Sequence, residues 1–219
     1  RESMRKCSHQ EGEGLRSFAK SVINNLGSSG YARRMKATFS LSLILCASVF
    51  AAPSQKAVRE RVGGELPSLL KLYQHLHANP EISFQEKETA KTLAAELEKI
   101  GFEVSTGIGG HGVVGVLKNG TGPTVLVRTD LDALPVKEAT GLAFASTRTT
   151  TDDLGKTVPT MHACGHDVHM ACWTGTARVL AHFKKDWSGT LVFIGQPAEE
   201  RGAGAKAMLT DGLFKNFPV

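Results

Sequence analysis

The sequence contains no apolar run of the ~20 residues needed to cross a bilayer. Its longest such run, residues 39–50, is about a dozen long and is too short for a membrane anchor. It has no internal repeat and no low-complexity tract, which sets aside solenoid and linker architectures. Beyond residue 36 it has no charge imbalance. Residues 37–219 carry eighteen Lys/Arg and eighteen Asp/Glu, while residues 1–36 carry eight against three and account for the whole formal charge of +5. A neutral body gives no ground for a nucleic-acid or acidic-membrane partner. Cysteine is scarce too. Of four cysteines, Cys7 and Cys46 lie in segments read below as lost from the mature chain, leaving Cys164 and Cys172. That is no disulfide framework, and two free thiols are expected. After His182 there is no histidine at all.

What is present begins with an export signal. Arg33, Arg34 and Lys36 form a basic segment, residues 39–50 an apolar one, and Val49-Phe50-Ala51 fits the small-x-small rule for cleavage before Ala52. Residues 35–51 therefore read as a signal peptide, with secretion or periplasmic export expected and no membrane span in the mature chain. Residues 1–34, polar and opening on Arg, read as a non-native or disordered leader. Residues 52–219 are left as one domain, with 41% hydrophobic and 21% charged residues across the whole chain.

Within that domain a helical period places Leu66, Leu69, Leu70, Tyr73 and Leu76 on one face of residues 66–77. A second helix is expected to start at Ser83, where Ser83-Phe-Gln-Glu86 has the form of a capping box, and to stop at Gly101. Strands are expected at residues 102–106, before and after a turn at Asn119-Gly120, and at 189–195. Of these, the apolar stretch 124–128 reads as a buried central strand. Helices are expected at about 167–184 and 203–211. The alternation predicts an α/β fold: a central sheet flanked by helices.

Three polar clusters fall after strands, where such sheets place their sites: Asp130 with Asp132; Cys164, His166 and Asp167; Glu199 with Glu200. Between His162 and His169 lie three of the eight histidines, a cysteine and an aspartate. Were this stretch helical, His162, His166 and His169 would share a face; were it extended, Cys164 and His166 would point the same way. Gly165, and Asp167 as a helix cap, favour the extended form and the Cys164–His166 pair. Adjacent glutamates diverge, so one can hold a metal while the other faces the water that reacts. A metal with a carboxylate base is a device for amide hydrolysis.

The motifs "LYQHLHANPEISFQE", "VLVRTDLDALPV", "MHACGHDVHM" and "QPAEERGAGAKAML", spread over residues 66–219, resemble a metal-dependent amidohydrolase/carboxypeptidase family. It includes hippurate hydrolases, N-acyl-amino-acid amidohydrolases and auxin-conjugate hydrolases. The resemblance implies a zinc-exopeptidase-like catalytic domain with a mixed sheet, two divalent metals (Zn or Mn, with Co and Ni also suited), and a lid and dimerisation domain. It implies Cys164, His166 and Glu200 as metal ligands, Glu199 as the catalytic acid/base, and Asp130 as a carboxylate behind the ligands. The substrate implied is a small N-acyl amino acid, in a homodimer or homo-oligomer. Two further histidine ligands of the family have no counterpart here, so the chain is expected to be an N-terminal fragment, cut before the lid domain and inactive alone. Two other readings stay open: a carboxypeptidase or dipeptidase of the same family, and a metal-binding remnant without catalysis.

Overall fold

The computed structural model describes residues 52–219. The leader and the signal peptide read at 1–34 and 35–51 lie outside the described residues. In chain order the elements are α1 (Gln55–Ala78), α2 (Lys87–Glu98), β1 (Glu103–Ile108), β2 (Gly112–Asn119), β3 (Thr124–Asp130), β4 (Thr149–Thr151), β5 (Thr157–Pro159), α3 (His166–His182), a 3-10 turn at Lys184–Asp186, β6 (Gly189–Gln196), α4 (Gly204–Thr210) and α5 (Leu213–Asn216). Strands β1, β2, β6 and β3 form one mixed sheet in that order, and β4–β5 form a separate hairpin. The expected α/β architecture, a mixed sheet with helices on both faces, is what the chain adopts.

The strand order departs from the expected one. β2 and β3 flank the Asn119-Gly120 turn but do not pair, because β6 lies between them, antiparallel to β2 and parallel to β3. The central strand is therefore β6, buried at all but one of its residues. β3 is outermost, and Val125 is 48% exposed. An apolar run does not fix a strand's place in the order, and no residue of β3 before Thr129 is buried. The inward face of β3 is covered by α3, whose Trp173 packs in the core and donates its indole N–H to the Val127 carbonyl at 3.1 Å.

Side chains alternate across β6 with the period of two that a strand imposes. Leu191 and Phe193 meet Leu93 and Leu97 of α2 and Met170 and Trp173 of α3. Val192 and Ile194 face the other way, onto Met208 of α4 and Leu213 of α5. Helix α1 is longer than its apolar period suggests, because Ser54 caps it by accepting the Ala57 N–H at 3.2 Å. Leu72 and Leu76 are buried, but Leu66 and Leu70, on the face expected inside, are half exposed and line an open apolar groove of about 680 Å³ against α3.

The second helix starts at Lys87 rather than Ser83. The capping box does not form, because both of its side chains are taken by distant partners: Ser83 donates to Asp132, and Glu86 accepts from Ala198. Among the described residues no helix is long and apolar enough to cross a membrane.

Candidate metal centre

Strands β3 and β6 run parallel and end side by side, with Asp130 paired to Gln196. The residues that follow each strand are thus delivered to one place, and α3 begins there. Its entry is a turn and not the extended segment expected: Gly165 donates its N–H to the His162 carbonyl at 3.2 Å and sits at φ 77°, a left-handed conformation open to glycine. Asp167 lies inside the first turn and does not cap the helix, since its carboxylate accepts from His77.

At this junction His166, Glu199 and Glu200 each offer one ligand atom, all within 4.8 Å of one another. His166 Nε2 lies 3.8 Å from Glu199 Oε2 and 3.9 Å from Glu200 Oε1. These separations are too long for hydrogen bonds. Glu200 Oε1 is buried and has no hydrogen-bond partner among the described residues. The other ring nitrogen, His166 Nδ1, donates to the Asp132 carbonyl at 2.8 Å, which fixes the ring and turns Nε2 toward the carboxylates. Asp132, through its carboxylate and its carbonyl, pushes the imidazole pKa up to about 9, and a metal bound at Nε2 would take the place of the proton there. One imidazole nitrogen and two carboxylates aimed at a common point, one oxygen buried without a partner, fit a divalent cation of the Zn or Mn type.

Cys164 stands beside Glu200, whose carboxylate is the first cause of its raised thiol pKa, ahead of burial and the charge of Glu199. Its sulfur is exposed and lies outside the 4.8 Å group, so the four expected residues come together as three close groups with the thiol alongside. Cys172 is also a free thiol, as expected, and is exposed.

The carboxylate behind His166 is Asp132. It is fully buried, its Oδ2 accepts from Ser83 Oγ at 2.6 Å and from the Glu200 N–H at 3.0 Å, and its Oδ1 lies 3.6 Å from His166 Nδ1. Burial works to raise its pKa, but His166, Ser83 and the Glu200 amide together bring it below the usual range. Asp130, the residue singled out from the sequence for this place, pairs instead with Arg128 at 2.9 Å and lies 3.7 Å from His169. The two aspartates are two residues apart, and nothing in the spacing says which one meets the histidine. The partner that distinguishes them, Ser83, is 49 positions away.

Beside Glu200 a cavity of about 370 Å³ has apolar walls from Ile82, Leu134 and Leu154, and Arg201 at its edge. Arg201 pairs with Asp153 at the tip of the β4–β5 hairpin. The hairpin thus closes one side of the space next to the cluster.

A mixed sheet whose two parallel strands end beside the start of a helix brings one histidine and two carboxylates to one point, an arrangement suited to a divalent metal. Residues 126–219 match the model of the peptidase family M20/M25/M40. The chain is 43% identical over 148 residues to the hippurate hydrolase of Campylobacter jejuni, covering 67% of this chain and 36% of that protein. It is 40% identical over 152 residues to the N-acetylcysteine deacetylase of Bacillus subtilis, covering 67% and 37%. Among solved structures it resembles the YXEP protein of Bacillus subtilis, described as a dinuclear metal binding peptidase of the M20 family. That match has a TM-score of 0.59 and 38% identity over 74% of this chain and 41% of that one. Residues 126–219 thus carry the sequence pattern of a peptidase M20 domain, and the chain is similar to proteins that contain one. It spans between 30% and 40% of the length of the curated relatives it matches.

Proposed function

We propose that the protein hydrolyses the amide bond of small N-acyl amino acids, with His166 and Glu200 as ligands to a divalent metal, Cys164 joining them, and Glu199 as the general base. One observation carries this: His166 Nε2 and the two carboxylates converge within 4.8 Å while His166 Nδ1 is anchored on Asp132. A metal bound there supplies Lewis-acid activation of the water nucleophile and the amide carbonyl. Glu199, 42% exposed at its side chain, takes a proton from the attacking water and passes it to the departing nitrogen, so that an amine leaves. Glu200, 16% exposed and held at its N–H by Asp132, has the fixed position a ligand needs. The apolar cavity beside Glu200 suits an acyl group. The names of the hippurate hydrolase and the N-acetylcysteine deacetylase support an N-acyl amino acid as substrate.

In protein expressed from the full reading frame, Glu199→Gln should keep its metal while kcat on a simple N-acyl amino acid falls by about 10²–10⁴. Glu200→Gln should lose both metal and activity. The opposite pattern reverses the roles, and two active variants dismiss the site. We further propose export by cleavage after Ala51. N-terminal sequencing of the secreted protein should begin at Ala52, and a mature chain that retains Met35 rules this out.

A further inference from the structure

Two residues other than glycine have positive φ among the described residues, Phe84 at 66° and Ala198 at 47°. Side chains with a Cβ rarely adopt this conformation, and where it persists the surroundings must hold it. Here one atom holds both. Glu86 Oε1 accepts the Phe84 N–H at 2.9 Å and the Ala198 N–H at 2.7 Å, across 112 positions of sequence. Glu86 is 0% exposed.

Ala198 is the residue immediately before Glu199 and Glu200. Its carbonyl accepts the N–H groups of Ala203 and Gly204, both at 3.2 Å, so the loop from 198 to 204 closes on it. Gly204 permits this closure, since a Cβ there would lie 1.5 Å from the Pro197 carbonyl oxygen. Two residues on, the Glu200 N–H is held by Asp132. The Glu199–Glu200 dipeptide is therefore fastened on both sides by buried carboxylates, Glu86 before it and Asp132 within it. Both carboxylates also bind the segment 83–86, Asp132 through Ser83 and Glu86 through Phe84.

We propose that Glu86 is a positioning residue for the Glu199–Glu200 pair, acting through the Ala198 amide to set the backbone angle from which both carboxylates project. This rests on the reading of that pair as base and ligand. Without the bond, Ala198 relaxes toward negative φ, and the peptide that carries both glutamates turns with it. The role belongs to the acceptor oxygen and its reach. Glu86 Oε2 has no hydrogen-bond partner among the described residues, so no visible contact calls for a charge there.

The test compares Glu86→Gln, Glu86→Asp and Glu86→Ala in protein expressed from the full reading frame, loaded with Co²⁺. Affinity and the d–d spectrum are read beside far-UV circular dichroism. Gln keeps an acceptor oxygen at the same reach and should bind Co²⁺ within about threefold of wild type, whereas Asp, one methylene shorter, and Ala should bind about 10–100-fold more weakly with an altered spectrum while folded. Leu97→Ala, in the core away from the site, should lower the melting temperature and leave Co²⁺ affinity unchanged. Folded Glu86→Asp or Glu86→Ala with wild-type affinity overturns the proposal. So does Glu86→Gln as weak as Glu86→Ala, or a failure of both Asp and Ala to fold, which would make Glu86 a structural residue only. Glu200→Ala separates the two levels. If it too binds Co²⁺ like wild type, the metal site itself is misread and the proposal falls with it. If it loses Co²⁺ while Glu86→Asp does not, the role of Glu86 alone is wrong.

Discussion

Two histidines meet carboxylates at the start of α3, and they do so in opposite ways. His77, from α1, has both nitrogens engaged: Nδ1 donates to Asp167 at 2.6 Å and Nε2 to Glu138 at 2.9 Å. Both partners are acceptors only, so the ring carries two protons. Burial works against that charge, but the bonds to Glu138 and Asp167 outweigh it and raise the pKa. His166, the neighbour of Asp167, engages only Nδ1 and leaves Nε2 nearly 4 Å from Glu199 and Glu200. The first cluster is closed, with every imidazole hydrogen placed. The second is open, with its ligand atoms directed at a point that none of them fills. His77 and His166 thus differ in whether both ring nitrogens are satisfied, although their burial is similar.

The closed cluster should matter most for stability. Removing one partner of a buried ion pair leaves the others uncompensated, so His77→Ala should destabilise by about 3–5 kcal/mol in urea unfolding. His166→Ala, which removes a ring with one nitrogen unpaired, should cost clearly less. Equal losses would erase the distinction.

Next in size is the carboxylate behind the open cluster. Asp132→Asn should weaken Zn²⁺ binding by about 10–100-fold, the range for residues that orient a ligand, while Asp130→Asn should change it little. A larger loss from Asp130→Asn would put the supporting role back where the motif first suggested it.

The closed cluster also has a pH signature. A histidine whose pKa is raised on folding adds stability that is complete below its unfolded pKa and is lost as pH rises through the folded value. Glu138, lowered despite burial by Thr140, His77 and the Ser146 N–H, adds stability that is lost as pH falls through its own folded value. The melting-temperature gap between wild type and His77→Gln should therefore be widest near about pH 6 and should narrow on the alkaline side of about 6.5. A gap that widens with pH would contradict the doubly protonated ring.

The smallest effect expected is that of Ser83→Ala, which removes one hydrogen bond to Asp132 and should cost about 0.5–1.5 kcal/mol, since Asp132 Oδ2 keeps the Glu200 N–H.

Much of the fold and of the site could be read from local pattern. The α/β class, α3, α4 and the strand leading into the paired glutamates follow from periodicity, and the crowding of His162, Cys164 and His166 marked the turn that meets those glutamates. What could not be read depends on contacts distant in sequence. Ser83 and Glu86 have the form of a capping box, yet their partners are Asp132 and Ala198. Asp167 looks like a cap, yet it answers His77, 90 positions earlier. β3 looks central from its apolar run, though it lies at the sheet's edge and β6 holds the middle. His162 is another such case: burial holds its pKa down at about 4, and it lies outside the group of atoms that His166, Glu199 and Glu200 bring together, so its crowding with His166 in the sequence does not place it in that group.

The contrast between open and closed histidines is tested most directly by metal content. His166→Ala and His77→Gln would be purified from the full reading frame, dialysed against Zn²⁺ and analysed for metal by elemental analysis, with folding checked by circular dichroism. The expected result is that folded His166→Ala loses most of its bound metal while folded His77→Gln keeps the wild-type amount. Metal retained by His166→Ala, or lost equally from both, would contradict the assignment of this junction as the metal centre.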